Sequence, residues 1–218
     1  MRMKCIVTAG PTYEELDSVR RLTNFSTGRL GTELAVFLAA RGHEVTLLIG
    51  RQATYAGERP ARNTHTFSTT TDLRGRLQAL SQQPLDAVFH AAAVSDFTFG
   101  KVWSRSDTGA MTEVRSGKIS THQGSLLAEL VPTPKIIAGL RGWYPKARLV
   151  GWKFEVEGDQ AGVVQLGEKQ MRDCATDACV VNGKAYGAGF GLVTGPGNCA
   201  HLQEPGALFA ALEQFIAG

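Results

Sequence analysis

The sequence lacks several features that would each assign it to a class of protein. It has no run of about 18 apolar residues, the length that a membrane-spanning helix needs, so we expect no membrane partner. It has no dense run of lysine or arginine and a formal net charge of only +3, which disfavours a nucleic-acid partner. Its four cysteines form neither a Cys-x-x-Cys pair nor a cluster with metal-ligand spacing. With no signal peptide recognised, these features predict free thiols in a reducing, cytoplasmic compartment.

Signatures of several enzyme classes are also missing. The Gly-x-Ser-x-Gly turn that carries the nucleophile of α/β-hydrolases does not occur, nor does the Gly-Lys-Ser/Thr of a P-loop. An NAD(P)-binding Rossmann reductase would have Gly-x-Gly-x-x-Gly after its first strand and a tyrosine followed four residues later by lysine. The sequence has neither, so a reductase is the weaker alternative. None of the five histidines is assigned a catalytic role, and His90, inside an apolar run, is expected to lie in the core.

What the sequence does have is a regular alternation of strand-like and helix-like segments. Hydrophobic residues make up 43% and charged residues 20%, which is typical of a soluble globular protein. Apolar runs predict strands at 4–9, 43–49, 86–91, 126–131, 147–155 and 178–182, and a late β-hairpin within 190–202. Helical spacing predicts helices at 28–41, 72–82, 134–143, 159–172 and 205–216. The alternation predicts an α/β fold, a doubly wound Rossmann-like parallel sheet with a flap loop at 98–124, in one domain over residues 1–218.

The long connection at 10–27, between the first strand and the first helix, carries the strongest signal for a site. Connections of this length without secondary structure are usually functional or disordered. This one holds Asp17, Arg20, Arg21 and Asn24, all of which can reach a polar ligand. We therefore expect a binding site where the first strand ends.

The start of the first helix is suited to binding an anion. The hydroxyls of Ser26 and Thr27 can cap its free backbone N–H groups, and Gly28 lets a ligand approach closely. The positive end of the helix dipole favours a phosphate there. Arg29 in the first turn opposes that dipole, which is easier to understand if an anion binds nearby. The alternative, an ordinary turn with an exposed arginine, stays open at this point.

A second candidate site follows the third predicted strand. The stretch 91–97 reads Ala-Ala-Ala-Val-Ser-Asp-Phe, and ligands of open α/β sheets bind outside the carboxyl ends of the strands. Its small residues suit the floor of a ligand site. Asp96 could bind ribose hydroxyls or help to hold a metal through phosphate, and it could equally well be a turn aspartate. The flap that follows contains the cations Lys101, Arg105, Arg115 and Lys118.

Together these groups indicate chemistry by charge stabilisation. The polar side chains predicted on loops are Asn24, Ser26, Thr27, Arg29, Asp96, Lys118, Lys153 and Asn182. Phosphoryl or nucleotidyl transfer needs positioning and charge neutralisation more than a nucleophilic side chain. The residues by themselves therefore predict a nucleotide-using transferase or ligase with a flap lysine, and they leave open a non-catalytic nucleotide-binding module.

Several stretches of the sequence also match, in order, the motifs of one known family. They are 7–12 (Val-Thr-Ala-Gly-Pro-Thr), 17–20 (Asp-Ser-Val-Arg), 24–28 (Asn-Phe-Ser-Thr-Gly), 91–97, 117–120 (Gly-Lys-Ile-Ser), 130–137 (Leu-Val-Pro-Thr-Pro-Lys-Ile-Ile) and 150–155 (Val-Gly-Trp-Lys-Phe-Glu). In these motifs the chain resembles phosphopantothenoylcysteine synthetase, also called phosphopantothenate–cysteine ligase, in its stand-alone form. The resemblance covers most of the chain.

The resemblance implies a two-step ligase reaction in coenzyme A biosynthesis. The family joins 4′-phosphopantothenate to cysteine through an amide bond. A nucleoside triphosphate, with CTP favoured and ATP possible, converts the pantothenate carboxylate to an acyl-nucleotide and releases pyrophosphate, while Mg²⁺ shields the triphosphate. Cysteine then displaces the nucleotide monophosphate. The resemblance further implies a homodimer, and a separate decarboxylase that acts next.

The resemblance also implies roles for individual residues. Asn24 would hold the acyl group and serve the second step, Lys118 would neutralise charge in the first step, and Asp96 would contact the nucleotide. Nucleotide or phosphate contacts are predicted for Gly10, Thr12, Ser26, Thr27, Gly28, Arg29, Ala92, Ala93, Lys153 and Phe154. Substrate contacts are predicted for Asn24, Arg20 and Asn182. No protein ligand for a metal ion is assigned.

The sequence departs from the family pattern at four places. Ser120 and Thr121 stand where the bifunctional bacterial form continues a Lys-x-Lys-Lys run. Gly-Trp-Lys-Phe-Glu at 151–155 replaces Gly-Phe-Ala-Ala-Glu and is closer to the stand-alone and eukaryotic-type enzymes. Gly183 replaces the aspartate after the late strand, and Pro11 replaces the second glycine of the first motif. These departures leave the choice between CTP and ATP open.

Overall fold

A mainly parallel sheet of eight strands forms the centre of the molecule. The computed structural model describes residues 1–59, 63–114, 117–120 and 124–218. The strands are β1 Lys4–Ala9, β2 Tyr13–Glu15, β3 Arg21–Thr23, β4 Glu44–Gly50, β5 Thr64–Phe67, β6 Ala87–His90, β7 Phe97–Arg105, β8 Met111–Glu113, β9 Ser125–Pro132, β10 Arg148–Phe154, β11 Ala178–Asn182, β12 Phe190–Gly195 and β13 Asn198–Leu202. The helices are α1 Arg29–Ala40, α2 Thr70–Leu80, α3 Ile136–Trp143, α4 Gln160–Cys174 and α5 Pro205–Ala217. The central sheet has the order β13-β12-β11-β10-β6-β1-β4-β5, parallel from β11 to β5 and antiparallel at β12 and β13.

Helices cover both faces of this sheet because both faces of its strands are apolar. In β1, Cys5 and Val7 belong to the core shared with α1 and α5, whereas Ile6 belongs to the core shared with α2 and α3. Helix α4 packs through Val163 on Cys179 of β11. This arrangement confirms the predicted α/β fold, a doubly wound Rossmann-like sheet that ends in a late β-hairpin, β12–β13.

Several strands outside the main alternation were not predicted. The connection at 10–27 contains the antiparallel pair β2–β3, and the polar segment 51–71 contains the edge strand β5. The predicted flap loop at 98–124 holds β7 and β8, which form a separate three-stranded antiparallel sheet with β9. Strands β3 and β8 are exposed along their whole length, so no apolar alternation marks them in the sequence. Arg115 and Thr121 lie outside the described residues.

Local side-chain hydrogen bonds fix the start of α2. The sequence predicts that α2 begins near Asp72 as its cap, but the N-cap is Thr69, whose hydroxyl accepts a hydrogen bond from the backbone N–H of Asp72 at 3.2 Å. The carboxylate of Asp72 accepts instead from the backbone N–H of Ser68 and from Arg76.

In the ranges that the structure describes, no helix is both long and apolar enough to cross a membrane.

Candidate active site

The candidate site lies where the strand order reverses, between β1 and β6. Strands β4 and β5 extend the sheet beyond β1 in one direction, whereas β10 to β13 extend it beyond β6 in the other. This change of direction leaves a crevice outside the carboxyl ends of β1 and β6. The loops that follow the two strands are joined by hydrogen bonds from the backbone N–H of Ala93 to the carbonyl of Gly10 (3.0 Å) and from the N–H of Thr12 to the carbonyl of Ala93 (3.1 Å). The structure therefore brings together Gly10, Thr12, Ala92 and Ala93, as the predicted nucleotide contacts require.

Three glycines shape the crevice. Gly10 and Gly28 both have positive φ values, +76° and +79°, and a Cβ on Gly28 would lie 3.2 Å from the Cα of Gly10. A Cβ on Gly31 would lie 2.8 Å from the Cβ of Ala9 in β1, so Gly31 allows close packing of α1 on the sheet. The positive φ of Gly10 and the close packing at Gly31 correspond to the first and third glycines of the dinucleotide-binding Gly-x-Gly-x-x-Gly, and Gly28 has the position of the second. The pattern is not visible in the sequence because the β2–β3 hairpin separates the first glycine from the second.

Substitution of Gly31 by alanine is expected to destabilise the fold by about 1–3 kcal/mol, because the added methyl group meets backbone and strand atoms that cannot move away. The Cβ would lie 2.8 Å from Ala9 and 3.0 Å from the carbonyl oxygen of Thr8. Urea unfolding followed by circular dichroism measures the change. Gly75→Ala in α2 is the control: its Cβ meets nothing within 4 Å, so it should stabilise by about 0.5–1 kcal/mol through helix propensity. Equal effects of the two substitutions would contradict the packing argument.

The start of α1 differs from the expected capping arrangement. Its N-cap is Gly28, in the left-handed conformation and without a side-chain cap. Ser26 and Thr27 lie before the N-cap, and the Thr27 hydroxyl accepts only a 3.3 Å hydrogen bond from the backbone N–H of Arg29. The Thr27 hydroxyl thus binds one free N–H of the first turn, as predicted, although neither Ser26 nor Thr27 is the N-cap residue. A glycine at the N-cap instead keeps the first turn open to a ligand, and the helix dipole still favours an anion there.

Arg29 has a partner within its own helix. Its guanidinium group donates to the carboxylate of Glu33, one turn later, at 2.7 Å, and the Tyr55 hydroxyl donates to the same carboxylate at 3.0 Å. The ion pair raises the pKa of Arg29. A cation in the first turn is therefore balanced by Glu33, and its presence no longer requires a bound anion. The predicted phosphate contact of Arg29 stays a prediction.

Asn24 lies at the centre of the crevice. It follows β3 directly, and its side-chain amide donates a 3.1 Å hydrogen bond to the carbonyl of Ala93. The preceding residue, Thr23, donates from its hydroxyl to the carbonyl of Thr12 at 2.9 Å. These two bonds fix the exposed Asn24 between the loops that follow β1 and β6. The Asn24 amide has a second N–H, which can donate to a ligand.

Asp96 is paired with a lysine that the sequence interpretation did not assign to the site. The carboxylate of Asp96 accepts from the ammonium group of Lys135, and both side chains are about two-thirds exposed. Lys135 is the N-cap residue of α3, where a cation opposes the helix dipole. Its position at a helix start after Pro134, inside the 130–137 motif, was the signal that could have identified it.

Lys118 lies on a short segment that is bound to the tip of the β2–β3 hairpin. The lysine is exposed, whereas the next residue, Ile119, is buried. The backbone N–H of Ser18 donates to the carbonyl of Gly117 at 2.9 Å. The Arg20 guanidinium group donates to the carbonyl of Ile119 at 2.6 Å. The structure thus gives Arg20, a predicted substrate contact, a structural partner next to Lys118.

The remaining predicted residues lie further along the same edge of the sheet. The Lys153 ammonium group pairs with Glu155 at 2.9 Å, and Phe154 is 64% exposed. Asn182 lies opposite Phe154 in the register of β10 and β11. Its Oδ1 is buried and has no hydrogen-bond partner among the described residues. These side chains share the crevice edge with Asn24, but hydrogen bonds do not tie them to the loops after β1 and β6 in the described part of the chain.

A buried histidine supports the floor of the crevice. His90 lies at the end of β6, and its Nδ1 shares a 3.0 Å hydrogen bond with the Thr8 hydroxyl of β1. That hydroxyl also accepts from the backbone N–H of Ala92 at 3.1 Å. Burial lowers the pKa of His90 to about 4, so the ring is neutral at pH 7. The expectation that His90 is a core residue is confirmed.

The described side chains do not form a protein cage for a metal ion. Across these ranges no three His, Cys, Asp or Glu side chains lie close enough to bind one. Mg²⁺ is commonly held by substrate phosphates together with one or two carboxylates. Asp96 is a carboxylate at the crevice that fits such a role. A magnesium ion that arrives with a triphosphate is compatible with this site.

Comparisons of the sequence with known proteins point to one family. The model of the DNA/pantothenate metabolism flavoprotein C-terminal domain matches residues 1–202. The coenzyme A biosynthesis bifunctional protein CoaBC of Thermococcus kodakarensis is 32% identical over 187 residues, which cover 85% of this chain and 42% of that protein. The protein of the same name from Bacillus subtilis is 29% identical over 190 residues, 87% of this chain and 42% of that protein. The chain thus spans less than half the length of these curated relatives.

Solved structures agree with this assignment. The DNA/pantothenate metabolism flavoprotein from Streptococcus pneumoniae matches with a TM-score of 0.85 at 26% identity, covering 99% of this chain and 98% of that chain. The C-terminal domain of CoaBC matches with a TM-score of 0.74 at 23% identity, covering 99% of this chain and 94% of that one, which shows the shared fold. Because the family model matches nearly the whole sequence, this chain belongs to the family of DNA/pantothenate metabolism flavoprotein C-terminal domains.

Proposed function

We propose that residues 1–218 act as one phosphopantothenate–cysteine ligase domain, which joins 4′-phosphopantothenate to cysteine through an acyl-nucleotide. The observation that carries this proposal is the position of Asn24, whose amide is fixed on Ala93 at the switch point of a nucleotide-binding fold. The Lys118 segment is bound to the hairpin that leads to Asn24. The family relationship and the order of the sequence motifs support the same reaction.

In the first step a carboxylate oxygen of 4′-phosphopantothenate attacks the α-phosphorus of the nucleotide. The bond from that phosphorus to the pyrophosphate oxygen breaks, and pyrophosphate leaves with the electron pair. Negative charge increases around the α-phosphate in the transition state, so a preplaced cation lowers the barrier. We assign this role to Lys118.

In the second step the amine of cysteine attacks the acyl carbon. The bond to the nucleotide phosphate oxygen breaks, the nucleotide monophosphate leaves, and the amine loses a proton. The acyl oxygen carries negative charge during the attack. We assign its stabilisation to Asn24, because the amide has one N–H on Ala93 and a second that can donate to the ligand.

We propose CTP as the nucleotide, with ATP as the alternative, and Mg²⁺ bound to its phosphates. Asp96 would contact the nucleotide, with its carboxylate oriented by the ion pair with Lys135. The start of α1 and the loops at Gly10 and Ala93 would accept the phosphates. We assign Asn182 to substrate binding; among the described residues its buried Oδ1 has no hydrogen-bond partner.

We propose that the product passes to a separate decarboxylase in the cytoplasm. The Gly-Trp-Lys-Phe-Glu sequence at 151–155 supports the stand-alone form of the enzyme. Buried free thiols such as Cys5 and Cys179 suit a reducing compartment.

We propose a homodimer that forms through the three-stranded sheet. Phe97, Met111, Leu127 and Leu130 of this sheet are each 38–49% exposed, which is unusual for large apolar side chains so close together in one small sheet. Light scattering after size exclusion should give twice the chain mass, and Leu130→Glu should give the monomer. Leu166→Glu, at a similarly exposed site on α4, should remain dimeric. A wild-type protein that is monomeric at working concentration would refute the dimer.

The test of the proposed function is pyrophosphate release with 4′-phosphopantothenate and Mg²⁺, with CTP or ATP in parallel, each with and without cysteine. Sustained turnover that requires cysteine, with one nucleotide preferred, is the expected result. It would establish the reaction class and the nucleotide together. Absence of pyrophosphate release with both nucleotides would refute the ligase, and tight nucleotide binding without turnover would favour a non-catalytic module.

A further inference from the structure

Asp17 is a nearly fully buried carboxylate at the tip of the β2–β3 hairpin, with a side chain only 1% exposed. Its Oδ1 accepts from the backbone N–H groups of Val19 and Arg20 at 2.9 and 2.8 Å. Its Oδ2 accepts from the Arg20 guanidinium group at 2.5 and 3.0 Å and from the backbone N–H of Ile119 at 3.1 Å. Arg20 and these backbone N–H groups hold the pKa of Asp17 well below its usual range. The carboxylate is therefore ionised and fully engaged at neutral pH.

The bonds around Asp17 fix the backbone on both sides of Lys118. Before the lysine, the carbonyl of Gly117 accepts from the backbone N–H of Ser18 at 2.9 Å and also from the Ser18 hydroxyl. After the lysine, Ile119 donates its N–H to Asp17 and accepts from Arg20 at its carbonyl. The short segment that carries the exposed Lys118 is thus held by a cluster that is about 100 residues away in sequence.

The same hairpin leads to Asn24. Strand β3 begins directly after Arg20 and pairs with β2, and Asn24 follows its last residue. The base of the hairpin is bound to the loop after β6 through Asn24 and Thr12. The hairpin therefore connects the backbone around Lys118 to Asn24 through the hydrogen bonds at its tip and the paired strands β2 and β3.

We propose that Asp17 is a positioning residue that anchors the Lys118 segment to the β2–β3 hairpin, so that the cation of the first step and the amide of the second step are held as one unit. The kinetic part of this inference rests on the proposed ligase function, whereas the anchoring itself does not. Asp17 does not touch the substrate in this proposal. It acts through the backbone of residues 117–119, and its loss lowers the rate by displacing Lys118.

The test is Asp17→Asn, which keeps the size of the side chain but loses the charge and replaces one of its acceptor oxygens with an NH₂ group. Misplacement of a catalytic group by about 1 Å can cost about 100-fold in rate. We expect a loss of this size in the kcat of pyrophosphate release, with little change in the KM for nucleotide. Amide hydrogen exchange at Ile119 should become faster in the same variant.

A double-mutant cycle with Lys118→Gln separates positioning from general structural damage. If Asp17 acts through Lys118, then Asp17→Asn should cause no further loss of rate in the Lys118→Gln background. The matched control is Asp177→Asn at the amino-terminal edge of the sheet. The Asp177 carboxylate likewise accepts from an arginine, Arg141, at 2.6 Å and from a backbone N–H, that of Leu149, at 2.7 Å. It should lower stability without slowing pyrophosphate release.

Additive losses in the cycle would overturn the positioning role, and so would unchanged exchange at Ile119 in Asp17→Asn. If the wild-type protein releases no pyrophosphate, the proposed function fails by itself. The exchange measurement still decides whether Asp17 anchors the segment, because it needs no substrate. Faster exchange at Ile119 in Asp17→Asn, but not in Asp177→Asn, supports the anchor.

Discussion

Lys118→Gln is expected to slow pyrophosphate release by about 100- to 1000-fold, the range found when one preorganised charge-stabilising group is removed. Glutamine keeps most of the length of the side chain but cannot supply a positive charge at the α-phosphate. The exposed lysine stands on a backbone held by Asp17, Ser18 and Arg20, so its cation is placed before the nucleotide binds. A coupled assay of pyrophosphate with the preferred nucleotide measures the loss.

The control for this prediction is Lys101→Gln. Lys101 is an exposed lysine on β7 of the three-stranded sheet, and its substitution removes the same charge from the protein surface. It should leave pyrophosphate release within the error of the wild-type value. Equal losses of rate in the two variants would mean that the overall positive charge of the surface determines the rate of pyrophosphate release, rather than the position of Lys118.

Asn24→Asp is expected to separate the two half-reactions. Pyrophosphate should still form, because the first step depends on charge at the α-phosphate and not on the Asn24 amide. Amide formation should fall by about 100-fold or more, since aspartate cannot donate to the acyl oxygen and adds a negative charge beside it. The acyl-nucleotide should accumulate on the enzyme, where rapid gel filtration and mass spectrometry can detect it.

Asn198→Asp makes the same chemical change at the exposed start of β13 and should affect neither step. The decisive comparison is between Asn24→Asp and Lys118→Gln. Loss of both half-reactions in equal measure by each variant would contradict the division of labour that we propose. Slow amide formation with normal pyrophosphate release in Asn24→Asp alone would support it.

The central sheet and its helices could be predicted from the sequence because each element carries its own local pattern. The strand at 178–182 was predicted with the bounds that the structure has, since a short buried strand is a compact run of apolar residues. The strand at 4–9 and the late hairpin were found for the same reason. Strands β3 and β8 were missed because they are exposed and lack that pattern.

The candidate site was only partly predictable. The motifs placed Asn24, Asp96 and Lys118 in the site, and the geometry around Asn24 fits that prediction, while their roles stay predictions. Ser26 and Thr27 were predicted to cap α1. A left-handed glycine forms the N-cap, and the Thr27 hydroxyl accepts from the backbone N–H of Arg29 from the position before it.

The sequence by itself determined the fold class and the family, because apolar periodicity and short motifs are local properties of the chain. The tertiary structure alone decided how the site is assembled. Gly31 acquires its role by facing Ala9, Lys135 by reaching Asp96, and Asp17 by binding Ile119. Contacts such as these join residues 22 to 102 positions apart, and only the packing of helices and hairpin against the sheet brings them within hydrogen-bond or van der Waals distance.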